Sequence, residues 1–289
     1  MHNATSKHGH SRTGSWRRAC ATALLLAAAL LAGTQGAFAQ DQAKPFDFAF
    51  EDLKLAGTFG LGYSNGSYGT AQNTDVDLAL ATVSATTGNF RFTASMPYMR
   101  ISGRGLVVFD ASGNPIVINR SLSNAPDTRT GWGDLNLAAS YTIPAAILDG
   151  FDVRVTGVTK LPTAGTHRRL STGQADFGVS VDISHQFGLW GPFVTMGYLD
   201  PGKPSGFTLK TTTSISAGTS LELSDDLVAI ASYDYDSRDS PLVPPANELF
   251  GSLSWVRGEN VTLTGYATAG LSAGSPDLGA GVLISYAFN

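Results

Sequence analysis

Residues 53–63 read LKLAGTFGLGY. Odd positions carry Leu53, Leu55, Gly57, Phe59, Leu61 and Tyr63; even positions carry Lys54, Ala56, Thr58, Gly60 and Gly62. One face is apolar and the other small or polar, the period of two expected of a β-strand lying between two different environments. No apolar run in the chain beyond residue 40 approaches the length of a membrane-spanning helix, so the apolar face has to be satisfied in another way.

The same alternation recurs at roughly 20-residue intervals. It predicts twelve strands, near 52–63, 75–86, 89–100, 133–143, 151–161, 174–187, 192–199, 207–223, 227–236, 248–257, 261–271 and 277–288. Most reach the ~9 to 11 residues that a tilted strand needs to cross a bilayer. The connections sort into two classes. Residues 87–88, 188–191, 224–226 and 258–260 are tight turns, with 144–150 somewhat longer, whereas 64–74, 101–132, 162–173, 200–206, 237–247 and 272–276 are mostly longer. Short turns at one end alternating with longer loops at the other predict an all-β, transmembrane antiparallel up-and-down barrel, with both chain ends on the side of the short turns.

Composition agrees. Only 15% of the 289 residues are charged and mean hydropathy is +0.03, too polar for a helical membrane protein and too poor in charge for an ordinary soluble domain. Residues 1–39 hold Lys7, Arg12, Arg17 and Arg18, an apolar run over 21–31, and Ala37-Phe38-Ala39. This is the pattern of a cleavable signal peptide, leaving 40–51 as a short periplasmic segment and 52–289 as the barrel. Its removal takes four of the 19 basic residues and none of the 23 acidic ones, so the net charge falls from −4 to −8. The single cysteine, Cys20, goes with it, so disulfides play no part. An acidic chain is poorly suited to nucleic acid.

The alternation also assigns faces. Aromatic residues should form girdles on the lipid face at both interfaces. Phe90, Phe92, Tyr141, Phe151, Phe187, Phe193, Trp255, Tyr286 and Phe288 fall near the periplasmic side, and Tyr63, Tyr98, Phe177, Phe207, Tyr233 and Tyr235 near the outside. The opposite parity collects Lys54, Asp75, Asp77, Arg91, Asp134, Arg154, Lys160, Asp176, Asp182, Lys210, Glu222 and Asp234. A charge at the lipid midplane costs about 2–4 kcal/mol for Arg or Lys, so all twelve are expected to line the lumen, pairing to brace the barrel or setting solute preference. Pro97 lacks a ladder donor and is expected at the external rim. The long connection after it contains Val107, Val108 and Phe109, then a polar stretch, then Ile116 and Ile118. This predicts a hairpin within the loop, placed either to narrow the mouth or to prolong the neighbouring strands, with fourteen strands as the alternative to twelve.

Three segments, 130–143 (TGWGDLNLAASYTI), 158–165 (VTKLPTAG) and 171–188 (STGQADFGVSVDISHQFG), resemble the outer-membrane transporter family named for the MetA pathway of phenol degradation. The resemblance implies a barrel that takes up aromatic or other small hydrophobic compounds, and it brings no set of binding residues. Val282, Ile284, Tyr286 and Phe288 also resemble the terminal signal read by the barrel-assembly machinery, with Asn289 displacing the usual last aromatic.

Enzyme chemistry finds no support. The barrel region holds only His167 and His185, without a nucleophile elbow or clustered metal ligands. Asp176 and Asp182, six residues apart on one strand, would stand about 20 Å apart, too far to act as a carboxylate pair. The sequence therefore predicts a non-enzymatic, cofactor-free channel or transporter in the bacterial outer membrane, embedded in its lipid and passing small solutes, aromatic or hydrophobic ones included. The alternative is a structural or adhesive barrel that works through its loops. The number of copies in the assembly stays open.

Overall fold

The computed structural model describes residues 52–70, 72–113, 115–119, 127–164, 169–237 and 240–288. The signal-peptide reading of 1–39, the segment 40–51 and His167 lie outside the described residues. The alternation at 53–63 becomes β1 (Lys54–Gly66), and fourteen further strands follow. They are β2 (Thr74–Thr87), β3 (Phe90–Gly103), β4 (Leu106–Phe109), β5 (Pro115–Asn119), β6 (Asp127–Trp132), β7 (Leu135–Ile143) and β8 (Phe151–Leu161). The rest are β9 (Asp176–His185), β10 (Trp190–Asp200), β11 (Thr212–Ser224), β12 (Leu227–Asp236), β13 (Ala246–Arg257), β14 (Val261–Gly270) and β15 (Leu278–Phe288).

Every neighbouring pair in the large sheet is antiparallel, and the pairing of β1 with both β2 and β15 closes the sheet on itself. Closure satisfies every edge, which a strand surrounded by hydrocarbon requires. β6 and β7 share one position in the wall: β6 pairs with the outer half of β3 and β7 with its inner half, so the barrel has twelve staves.

The break between β6 and β7 has a cause in β3. Pro97 stands in mid-strand, opposite Leu80 of β2, and not at the rim where the sequence reading put it. It has no N–H to give, and the neighbouring strand bulges beside it, so that residues 133–135 oppose 96–97. The Gly133 amide donates to the Pro97 carbonyl at 2.8 Å. One extra residue reverses parity. Arg129 and Gly131 of β6 point inward, and so do Asp134 and Asn136 after the bulge.

Outward positions carry the lipid belt, among them Phe59, Leu61, Val83, Val179, Met196, Leu253, Val282 and Ile284. Aromatic side chains stand on this face toward both ends, and Tyr98 meets Trp132 edge-on across the β3–β6 pair at 5.2 Å. Three expected faces are reversed. Asp75 and Asp77 lie on the outward parity of β2, because Val76, Leu78 and Leu80 fill the inward one. Phe193 points inward and is buried, its ring occupying the space that a β-carbon at Gly218 would need.

All the long connections meet at one end of the barrel. There β4 and β5 form a two-stranded sheet that makes no ladder with the wall. β3 runs on to Gly103 and β6 begins at Asp127, so the long loop is shorter at both ends than the sequence suggested.

Face assignment in mid-wall is testable. Val181→Arg on the outward parity of β9 should cost ~2–4 kcal/mol and reduce the assembled fraction. Ser180→Arg, one residue away and facing inward, should assemble. The compact band that unheated samples show in detergent gels reads both, and loss of that band in Ser180→Arg alone would reverse the faces.

Candidate functional site: the occupied lumen

The outer half of the lumen is built around Lys160, an inward residue of β8 that is fully buried. Its register partner on β9 is Asp176, and its Nζ lies 2.8 Å from that carboxylate and 3.8 Å from Asp134. The same ammonium donates to the Phe109 carbonyl of β4 at 3.0 Å. The two carboxylates direct their remaining oxygen capacity to loops. Asp176 accepts from the Ala111 amide at 3.0 Å and from the Gly202 amide at 2.8 Å. Asp134 accepts from the Ala164 amide at 3.0 Å and from the Ser171 hydroxyl. One buried ion cluster therefore ties three external connections to the wall.

Arg129 grips the other end of the hairpin. Its guanidinium donates to the Gly105 carbonyl at 3.1 Å, to the Val107 carbonyl at 3.5 Å and to the Arg169 carbonyl at 3.0 Å. Between these grips the hairpin buries both of its faces. Val107 and Val117, with Phe109 beside them, meet Tyr68, Val76, Met99, Ile101, Leu170 and Val243. Val108, Ile116 and Ile118 meet Leu209. Tyr68 reaches this layer from the β1–β2 loop, with φ at 47° followed by Gly69 at 73°, a left-handed pair that turns the ring into the mouth. Its hydroxyl shares a hydrogen bond of 2.9 Å with Ser64, and burial pushes the phenol well above its usual pKa.

Deeper in the lumen the wall is polar. Arg154 donates to Thr142 at 3.2 Å, Thr195 donates to Asp182 at 2.6 Å, and Arg154 stands opposite Asp182 in register. Arg91 points inward from β3. Hydroxyls pair across strands, as in Thr82 with Ser95 at 3.0 Å and Thr58 with Ser285 at 2.9 Å. An apolar patch interrupts this polar wall where Phe193, Val228, Ile230 and Phe250 meet, with Tyr266 against them. Tyr266 lies so close to β1 and β15 that a β-carbon on Gly62 or Gly281 would collide with its hydroxyl.

The remaining expected lumen residues scatter. Lys54 sits on inward parity at the exposed start of β1, at the short-turn end of the barrel, and Glu222 sits on inward parity near the short turns, 3.4 Å from Gln186. Lys210 is exposed in the external connection, since β11 begins only at Thr212 and the stretch before it is used to set Leu209 on the hairpin. Asp75 accepts from Tyr63 and Asn65 at 2.7 Å each, and Asp77 pairs with Arg100 at 3.8 Å, all toward the outer end of the barrel exterior. His185 lies between Phe151 and Phe187 on the outer face, its ring tilted against both. In the β11–β12 turn at the same end, the Ser224 hydroxyl and the Trp255 indole hold the Asp226 carboxyl below the usual carboxylate range.

Beside the hairpin tip a cavity of about 140 Å³ remains. Leu78, Leu80, Pro97, Met99, Phe109 and Tyr266 form its apolar walls, and Asn136, Asp234, Glu248 and Thr268 supply polar ones. Only Asp234 of the four was among the charges that the sequence assigned to the lumen; the other three were not. Their inward parity was available, yet two are uncharged and Glu248 stood at the end of its predicted strand.

No family model and no curated protein matches the chain, so the resemblance in 130–188 has no family model behind it. Among solved structures, the COG4313 outer membrane channel from Pseudomonas putida F1 superposes with a TM-score of 0.64, covering 86% of this chain and 100% of that one at 10% identity. At that identity the likeness establishes the fold. The NanC porin (TM-score 0.49, 14% identity, 81% of this chain and 99% of that one) and the P. putida toluene transporter TodX (0.42, 14%, 83% and 80%) superpose less well and carry no weight here.

Lys160→Met should leave Asp134 and Asp176 buried without their cation and cost about 3–5 kcal/mol. Lys203→Met, which removes an exposed 3.5 Å pair with Asp200, should change stability by under ~1 kcal/mol. Urea unfolding in lipid vesicles compares the two. Equal small losses would mean that Lys160 holds nothing.

Proposed function

We propose that this chain is an outer-membrane channel for passive uptake of small solutes, aromatic or hydrophobic ones included, with β4–β5 as the element that controls passage at the outer mouth. The observation that carries the reading is a hairpin inside a closed barrel that shares no ladder with the wall. Apolar packing and hydrogen bonds from wall side chains, not strand pairing, hold it to the staves, so it can shift without opening the barrel. The apolar belt outside calls for lipid, and the basic, apolar and small-residue regions of 1–39 supply the means of export. The neighbour of the same fold in P. putida is an outer membrane channel. Val107, Val108, Phe109, Ile116 and Ile118 are then the constriction, and Lys160, Asp134 and Asp176 its anchor. Arg91, Arg154 and Asp182 line the path below and set its charge preference.

One observation favours a second reading. The hairpin is buried on both faces, as in a structural or adhesive barrel that presents loops and conducts nothing.

Conductance in planar bilayers separates the two. A variant lacking residues 105–119, joined by a short turn, should conduct severalfold more than the whole chain, since Lys160 and Arg129 would then face open water. Unchanged conductance in a correctly assembled deletion rejects the gating role, and silence in both proteins supports the adhesive barrel.

A further inference from the structure

The cavity beside the hairpin tip combines features that neither packing nor passive passage requires. On its wall Asp234 of β12 stands directly opposite Glu248 of β13 in register, both on inward parity. Like charges facing each other across a ladder are destabilising. Asp234 is eased by the hydroxyls of Ser216 and Ser232. Neither Asp234 nor Glu248 has a cation within ion-pair distance among the described residues. Asp236, two residues further along the same face, also lines the cavity.

Two further polar side chains line it with bonding capacity unused. Asn136 is 8% exposed and its Oδ1 has no hydrogen-bond partner; Thr268 is 3% exposed and its Oγ1 has none. Both point inward. An unpaired buried polar atom costs about 1–3 kcal/mol, and two on the wall of one cavity mark a place shaped for a guest. The Asn136 oxygen needs a donor and the Thr268 hydroxyl can accept from one, and the nearby carboxylates make a cationic donor the best complement.

The rest of the wall defines the guest's body. Leu78, Leu80, Pro97, Met99, Phe109 and Tyr266 present apolar and aromatic surface, and a volume of about 140 Å³ suits a single ring. A bare metal ion fits poorly, since no three His, Cys, Asp or Glu among the described residues are grouped to hold one.

We infer that this cavity binds a small organic cation with an apolar body, of the arylalkylammonium class, its ammonium between Glu248, Asp234 and the free oxygens of Asn136 and Thr268, its ring against Met99, Leu80 and Tyr266. This rests on the channel reading and narrows it, because it gives the solute a charge. Phe109 and Pro115 of the hairpin line the same cavity, so an occupant touches the element that controls the mouth.

Calorimetry on the mature protein in detergent micelles tests the site, with phenethylammonium, 2-phenylethanol and phenylacetate as probes and empty micelles subtracted. Phenethylammonium should bind saturably at one site, about tenfold or more tighter than the alcohol, with the carboxylate weakest. Glu248→Gln should bring phenethylammonium to the level of the alcohol and leave the alcohol unchanged. Asp77→Asn, on the outer face, should alter none of them. The probe series on the unmodified protein needs no variant to fold, and equal affinity for all three probes, or no saturable binding, overturns the inference. Flux into protein-loaded vesicles tells the two readings apart. Flux without charge preference in binding removes the site and leaves the channel; binding without flux of any solute removes the channel and leaves the site.

Discussion

Lys160 holding Asp176 and Asp134 is the constraint on which the outer half of this molecule depends. An ammonium buried among carboxylates gains stability only if the geometry is good and the remaining lone pairs are satisfied. Here they are satisfied by backbone groups of Ala111, Gly202 and Ala164, and the ammonium itself reaches the Phe109 carbonyl. The cluster thus converts the desolvation of three charges into the placement of three loops. A hydrophobic cluster of the same volume would have been less costly to bury, but it would have left those backbone groups without partners inside the barrel.

That cluster depends in turn on an irregularity in the wall. Arg129 and Asp134 are five residues apart and would occupy opposite faces of a regular strand. The bulge at Gly133 brings both inward, and it lies where Pro97 of the adjacent strand has no hydrogen to offer. A residue that weakens a central ladder is therefore accommodated by the feature that gives the hairpin its second grip. Moving Pro97 to the rim would leave the ladder intact and would remove the reason for the bulge beside it.

Alternation and loop length made the barrel legible in the sequence, because lipid outside and loops at one end impose both directly. The hairpin was legible too, since each of its two arms within Val107 to Ile118 is too short to cross a bilayer and too apolar for open water. Face assignment failed where the inner wall is itself apolar. In β2 the inward set is Val76, Leu78 and Leu80, so a rule that sends apolar residues to lipid puts Asp75 and Asp77 in the lumen; the actual surroundings of that apolar set are the hairpin layer, which Val76 shares with Val107 and Val117, and the cavity beside it, which Leu78 and Leu80 line. Phe193 failed for the same reason, with Val228 and Ile230 as its company. Lys210 was misplaced because nothing local says that the chain ahead of Thr212 serves Leu209 and not the ladder. Asn136 and Thr268 carry no charge to draw notice, and their significance is an unmet hydrogen bond, which only three-dimensional placement reveals.

The balance of forces on the hairpin constrains how it can move. Val107, Val108, Ile116 and Val117 are essentially fully buried, and burying each such side chain is worth about 1.5–3 kcal/mol. Together they exceed what a single ion cluster contributes after desolvation, so apolar contact keeps the hairpin in the mouth while the charges fix its register there. Apolar contact is non-directional and survives a sideways shift; the bonds from Lys160 and Arg129 to carbonyl oxygens do not. Withdrawal into water would forfeit the apolar contact, which is the stronger of the two holds. If the hairpin gates passage as proposed, sliding along the layer formed by Tyr68, Met99, Ile101 and Leu170 would break only the directional bonds, so a passage beside the hairpin would open at lower cost than one through the space the hairpin fills.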